Sequence, residues 1–193
     1  IYFVFLFFGL NLLIYIVRKI YLSLMIPNEP KIYTRHYEAR EFISAKATEV
    51  FAYIDDHANF SSHMKESSWV MGGGHMDVSI DGGRCQKVGS HIKLSGKIFG
   101  ITLFLDEIIT HRESPNVKEW ETVNSPKLLV IGNYKMKVEV EPQKEGSLLW
   151  VSIDYDLPSA NAWIGKLFGA AYAKWCVEQM IKGVRTKFSV QKT

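Results

Sequence analysis

Two cysteines in 193 residues are too few to staple a fold, and Cys85 and Cys176 stand far apart with no metal-type spacing. They read as reduced thiols, which favours a cytoplasmic setting. Charge of one sign is not in excess either, because 23 Lys and Arg against 20 Asp and Glu leave only +3. Acids interleave with the bases, so the gathered basic face that nucleic acid requires is absent. The chain carries no dinucleotide or phosphate-loop fingerprint and no nucleophile beside an identifiable base. Neither a cofactor nor a metal is therefore expected.

Long apolar runs are also scarce, with one exception. Residues 1–17 (IYFVFLFFGLNLLIYIV) carry no charge, and only Gly9 and Asn11 interrupt the hydrophobes. The pattern resumes past Arg18 and Lys19 and stops at Pro27, which cannot continue a helix. A helix over 1–26 would be about 39 Å long, enough to span a bilayer and extend into the interface. Phe3, Phe7, Asn11 and Ile14 belong to this anchor, while Arg18 and Lys19 snorkel to the headgroups.

A signal peptide fits less well, since no basic region precedes the run and no small-residue cleavage site follows it. The chain opens on Ile1 rather than Met, so a missing or processed start is expected. An all-apolar buried helix of this length would need a much larger protein around it. Arg18, Lys19, Lys31 and Arg35 against Glu29 place the following domain on the cytoplasmic side of a cell (inner) membrane, as a single-pass protein. Asn11 is either a contact to another membrane helix or a tolerated polar group. The reading is an anchor over 1–26, a two-proline linker over 27–37 and one domain over 38–190.

Within that domain the periodicity changes twice. Glu38–Ala45 suggests a strand, Thr48 caps a short helix through Asp55, and His57–Met64 suggests a second. From Trp69 onward strands and turns dominate, with Asp81-Gly82-Gly83 as a hairpin signal. Ser90–Ile98, Ile101–His111, Val117–Val123, Leu129–Val140 and Leu148–Leu157 read as strands, and Ser90–Ile98, Leu129–Val140 and Leu148–Leu157 alternate with a period of two, as a half-covered antiparallel sheet does. A long helix over Trp163–Phe188 closes the chain. Its expected inward stripe is Leu167, Ala170, Val177, Ile181, Val184 and Phe188, opposite Lys166, Lys174, Glu178, Lys182 and Arg185. The fold class is α+β: a curved antiparallel sheet of about seven strands wrapped on a long C-terminal helix. A twisted sheet and a helix close imperfectly, so a cavity is expected between them.

This order, carried by YIDDHANFSSHM (53–64), WVMGGGHMDVSIDGG (69–83), VGSHIKLSGKIFGITLFLDEIIT (88–110), EWETV (119–123), LLVIGNYKMKV (128–138) and LFGAAYAKWC (167–176), resembles the SRPBCC superfamily. More specifically, it is similar to the polyketide cyclase/dehydrase-like branch of that START/Bet v 1-like, helix-grip group. The resemblance implies a hydrophobic ligand such as a lipid, sterol or polyketide beneath the long helix. Some members cyclise or dehydrate such ligands.

Several residues are candidates for chemistry. Asp55, Asp56, His57 and His63 form either an acid/base group at the cavity mouth or a plain helix junction with surface histidines. The i, i+6 spacing of the histidines disfavours a metal. Gly72-Gly73-Gly74 lacks the Lys-Ser/Thr of a phosphate loop and reads as a bulged strand edge. Trp120, Tyr134, Met136, Tyr155 and Trp175 are expected to face inward as core, cavity lining or both. Asp106 and Glu107 are adjacent on one strand, so one of them, with Asp56 and His57, is the candidate acid/base group.

Three functions follow. The first is a non-enzymatic, membrane-anchored binder of a lipid or other hydrophobic ligand. The second is an accessory subunit of an integral membrane complex, docked through Asn11 and exposed Trp150 and Trp163. The third is a cyclase/dehydrase-type enzyme.

Overall fold

A computed structural model describes residues 31–60, 76–98 and 101–189. The expected membrane helix, with Phe3, Phe7, Asn11, Ile14, Arg18 and Lys19, lies outside these residues, as do His63 and Gly72-Gly73-Gly74. Among the described residues no helix is long and apolar enough to cross a membrane.

Strand β1 (Arg35–Ile43) is followed by the short helices α1 (Ala47–Asp55) and α2 (His57–Phe60). Six strands come next: β2 (Met76–Ile80), β3 (His91–Ile98), β4 (Ile101–Glu113), β5 (Val117–Lys127), β6 (Tyr134–Gln143) and β7 (Gly146–Tyr155). Helix α3 (Ala162–Ser189) ends the fold. The expected order of strand, two short helices, six strands and a long helix is the one observed.

All seven strands form one antiparallel sheet in the order β1-β7-β6-β5-β4-β3-β2. From β2 onward each strand pairs with the next, and β1 closes the other edge against β7, with Arg35 opposite Tyr155. Register shifts leave extra residues on β5 between Val123 and Lys127 and one extra residue on β4 between Ile109 and His111, irregularities of the kind by which a sheet bends.

Alternation decides the core. Leu149, Val151, Ile153 and Tyr155 on β7 and Tyr134, Met136, Val138 and Val140 on β6 are all buried on one face. That face is the one expected from the period of two, and α3 lies over its β1–β7 side while α1 packs on β6 and β7. Each buried aliphatic side chain contributes about 1.5–3 kcal/mol relative to its exposed state.

Two local expectations change. Strand β1 starts at Arg35, inside the stretch expected as linker, and helix α1 starts at Ala47 with Lys46 at the N-cap position. Thr48 therefore sits inside the first turn rather than capping it. Glu49 explains the earlier start, because its carboxylate reaches back to accept the Lys46 backbone N–H at 3.3 Å.

The inward stripe of α3 holds at Val177, Ile181 and Val184 but differs in the first half of the helix. Leu167 is 65% exposed and Ala170 is exposed, while Gly165, Gly169 and Ala173 are buried ahead of Cys176, Val177, Met180, Ile181 and Val184. Small residues carry little hydropathy, so the pattern points away from them. Packing requires them nonetheless: a Cβ on Gly165 would lie 2.4 Å from Pro158 Cδ and 3.0 Å from Val130 O. The first half of α3 rests directly on that backbone.

Candidate functional site

Beneath α3 the inner face of the sheet encloses a space of about 30 Å³. Leu94, Trp120, Met136 and Ile153 form its floor, Ile131 one side, and Tyr172, Cys176 and Met180 of α3 its roof. Polar groups reach it from Glu107 on β4, Tyr134 on β6 and His57 on α2.

Glu107 is the chemical centre of this space. Strand alternation aims it inward with Leu103, Leu105 and Ile109, and it is 4% exposed. Its neighbour Asp106 points to the opposite face, where its carboxylate meets His91 Nδ1 at 2.8 Å. Tyr134 donates its hydroxyl proton to Glu107 Oε1 at 2.5 Å, and Trp120 also hydrogen-bonds the carboxyl. Burial raises the Glu107 carboxyl from 4.5 to about 7, against the lowering effect of those two donors. At neutral pH the group is therefore poised to hold or release a proton. The Tyr134 hydroxyl is held well above its ordinary value by burial and by the Glu107 charge, so it stays a donor.

His57 stands in the wall with its ring edge-on to Trp120, the centroids 5.2 Å apart. It is 3% exposed, so the surface position open to it from sequence is not the one it takes. A short helix that packs inward against Trp120 carries it there, and Phe60 of the same helix meets that ring from 6.0 Å.

Asp55 and Asp56 serve the helix junction. Asp55 takes both Arg112 Nε at 2.9 Å and Nη2 at 2.7 Å, and the fully buried Lys118 donates to the Asp55 carbonyl oxygen at 2.7 Å. Burial pushes the Asp55 carboxyl up, but the Arg112 and Lys118 charges override it and hold the group below its ordinary range. Burial pulls the Lys118 ammonium down, with Asp55 opposing. Asp56 accepts the Ala58 backbone N–H at 3.1 Å, which caps α2, and its other oxygen pairs with Arg84. Neither carboxylate is among the cavity walls.

Among the inward aromatics, Trp120, Tyr134 and Met136 line the space. Tyr155 is buried under α3, where a Cβ on Gly169 would lie 3.5 Å from its ring, and Trp175 packs on the core beside Tyr172; neither is among the walls. Sequence reading missed Ile131, Tyr172, Cys176 and Met180. The helical period could have found the last three once Gly169 and Ala173 had fixed the inward face.

Cys176 is pushed up to about 12 and Cys85 to about 11, both chiefly by burial, so neither is a thiolate at neutral pH. Among the described residues no three His, Cys, Asp or Glu side chains converge as a metal group. Of the two exposed tryptophans expected, Trp163 is 62% exposed, whereas Trp150 is half-buried beneath Arg40, whose guanidinium carbon lies 3.6 Å from the ring centroid.

An antiparallel sheet gripping one long helix over an internal apolar space defines the helix-grip class. The chain belongs to the polyketide cyclase / dehydrase and lipid transport family, whose pattern matches residues 34–188. Similar solved structures include a norcoclaurine synthase point mutant of Thalictrum flavum in complex with a transition-state analogue. It is 12% identical, with a TM-score of 0.60 over 86% of this chain and 100% of that one. The di-domain ARO/CYC protein StfQ of the steffimycin biosynthetic pathway is 8% identical, with a TM-score of 0.58 over 81% of this chain and 51% of that one. A Thermus thermophilus protein is 14% identical, with a TM-score of 0.57 over 82% of this chain and 100% of that one. At these identities the likeness is one of fold. No curated protein matches the chain by sequence.

Proposed function

We propose that the chain is a membrane-tethered binding domain for a hydrophobic molecule carrying one polar group, held beneath α3. The observation that carries this reading is the polar corner of Glu107 with Tyr134 and Trp120, set with His57 in a space otherwise lined by apolar side chains. Binding sites of this kind are mostly apolar, with few polar groups that fix orientation. A space of about 30 Å³ holds little more than a water molecule, so a ligand enters as Tyr172, Cys176 and Met180 give way. The tether rests on the uncharged run 1–17 and the basic pair that follows it. Family membership adds lipid transport to the functions this reading can take.

Two of the six methionines, Met136 and Met180, are cavity walls, which gives a direct test. Methyl-labelled full chain in nanodiscs is titrated with decanol and followed by NMR. The reading expects those two methyl signals to shift selectively. Uniform shifts across all methionines, or none, would contradict it.

A second reading, an enzyme of the cyclase/dehydrase type, is favoured by one observation. Glu107 titrates at about 7 beside the Tyr134 donor, which suits general acid/base work at neutral pH. In that reading Glu107 moves the proton, Tyr134 orients it, and His57 shapes the wall. Turnover of an apolar carbonyl compound that is lost in Glu107→Gln would select it over simple binding.

A further inference from the structure

We infer that the N-terminal half of α3 forms a face that lies on a lipid bilayer; this rests on the proposed tether. Trp163, Leu167 and Phe168 are 62%, 65% and 55% exposed, close together in the first half of α3. Large apolar side chains exposed side by side on one turn of helix mark a contact surface rather than ordinary surface scatter. Trp at a boundary between water and hydrocarbon fits both phases, and Lys166 and Lys174, also exposed on this helix, can meet anionic headgroups.

The occupant is set by where the chain enters the domain. Arg35 pairs with Tyr155, and the Thr34 backbone N–H donates to Asp156 Oδ1 at 3.2 Å. Helix α3 starts at Ala162 and folds back so that Gly165 abuts Pro158 and Gly169 abuts Tyr155. Chain entry and the apolar patch therefore share one end of the domain. The β6–β7 turn at Lys144 and Glu145 is at the other end, since β7 runs from Gly146 away from it to Tyr155. Residues 27–33 reach at most about 25 Å when fully extended. The chain that follows the uncharged run therefore enters the domain at the patch end and not at the turn end. The same face borders α3, the roof of the cavity, so a ligand taken from the bilayer need not cross water.

The test uses full-length chain in vesicles of phosphatidylcholine and phosphatidylglycerol. A polarity-sensitive dye is attached at Leu167→Cys in one sample and at Lys144→Cys in another, and lipids brominated on the acyl chain serve as quenchers. The face predicts that the dye at 167 loses roughly half its emission, or more, while the dye at 144 is unaffected, as expected for a side chain seated at the acyl boundary. Equal quenching at both positions, or none at 167 in chains that float with the vesicles, overturns this face and leaves the tether standing. A blue-shifted dye at 167 without lipid quenching overturns it too, and assigns the patch to residues 1–26 or to a protein partner. Failure to float overturns tether and face together, while ligand binding is read independently from the methionine signals.

Discussion

The Tyr134 hydroxyl and the Glu107 carboxylate meet at 2.5 Å inside the domain, one from β6 and one from β4, two strands apart in the sheet. Strand β5 lies between them and contributes Trp120, the second donor to the same carboxyl. Three strands thus converge on one titratable group. Tyr134→Phe removes a donor that favours the ionised form, so the Glu107 midpoint should rise above about 7. A carboxyl-carbon NMR titration of Glu107 reads this directly, and an unchanged midpoint would mean the hydrogen bond has no electrostatic weight.

The raised carboxyl also links stability to pH. Its folded value, about 7, lies above the ordinary 4.5, so the folded chain holds a proton that the unfolded chain releases in that interval. The contribution is complete below pH 4.5 and is lost as pH rises to about 7, by roughly 3 kcal/mol at most for a shift of this size. Glu107→Gln should therefore be more stable than the parent at pH 8 and nearly equal to it at pH 4.5. Denaturant unfolding at the two pH values measures the difference.

Asp55 works with the opposite sign. Its carboxyl is held below the ordinary range, so its contribution is present above that range and lost as pH falls through the lowered value. Asp55→Ala leaves Lys118 buried with its main counter-charge gone, at a cost of about 3–5 kcal/mol at neutral pH. The same variant compared at strongly acidic pH should show a much smaller loss. A cost independent of pH would point to packing rather than charge.

The glycines of α3 separate propensity from packing. Gly183→Ala meets nothing within 4 Å and should stabilise the helix by about 0.5–1 kcal/mol. Gly165→Ala gains the same propensity but puts a Cβ 2.4 Å from Pro158 Cδ, so it should destabilise by about 1–3 kcal/mol. Thermal melts of both variants suffice, and two stabilising changes would mean that α3 does not rest on residues 130–131 and 157–158.

Those positions also show what sequence reveals and what it hides. The sheet was legible because Tyr134, Met136 and Val138 alternate with Lys135, Lys137 and Glu139, and burial follows that alternation residue by residue. Glu107 was legible as one of an adjacent pair whose alternate facing forces one carboxylate inward. The second half of the α3 face was legible through Val177, Ile181 and Val184, but the first half was not, because Gly165, Gly169 and Ala173 are chosen for their small size against a nearby backbone, and hydropathy does not register size. His57 resisted for a similar reason: a four-residue helix has too few positions to define a face. The charge network of Asp55 with Arg112 and Lys118 joins residues 57 and 63 positions apart, a link that appears only when the sheet is assembled.

Native mass spectrometry of the full chain, released gently from membranes, tests the binding account most directly when the parent is compared with Met136→Trp. The larger side chain fills the space between the floor and Cys176 and Met180, and circular dichroism confirms that the variant is folded. The account predicts a parent carrying an apolar adduct, at one molecule per chain, that the variant lacks. A parent that flies at its bare mass, or the same adduct on both proteins, would contradict it.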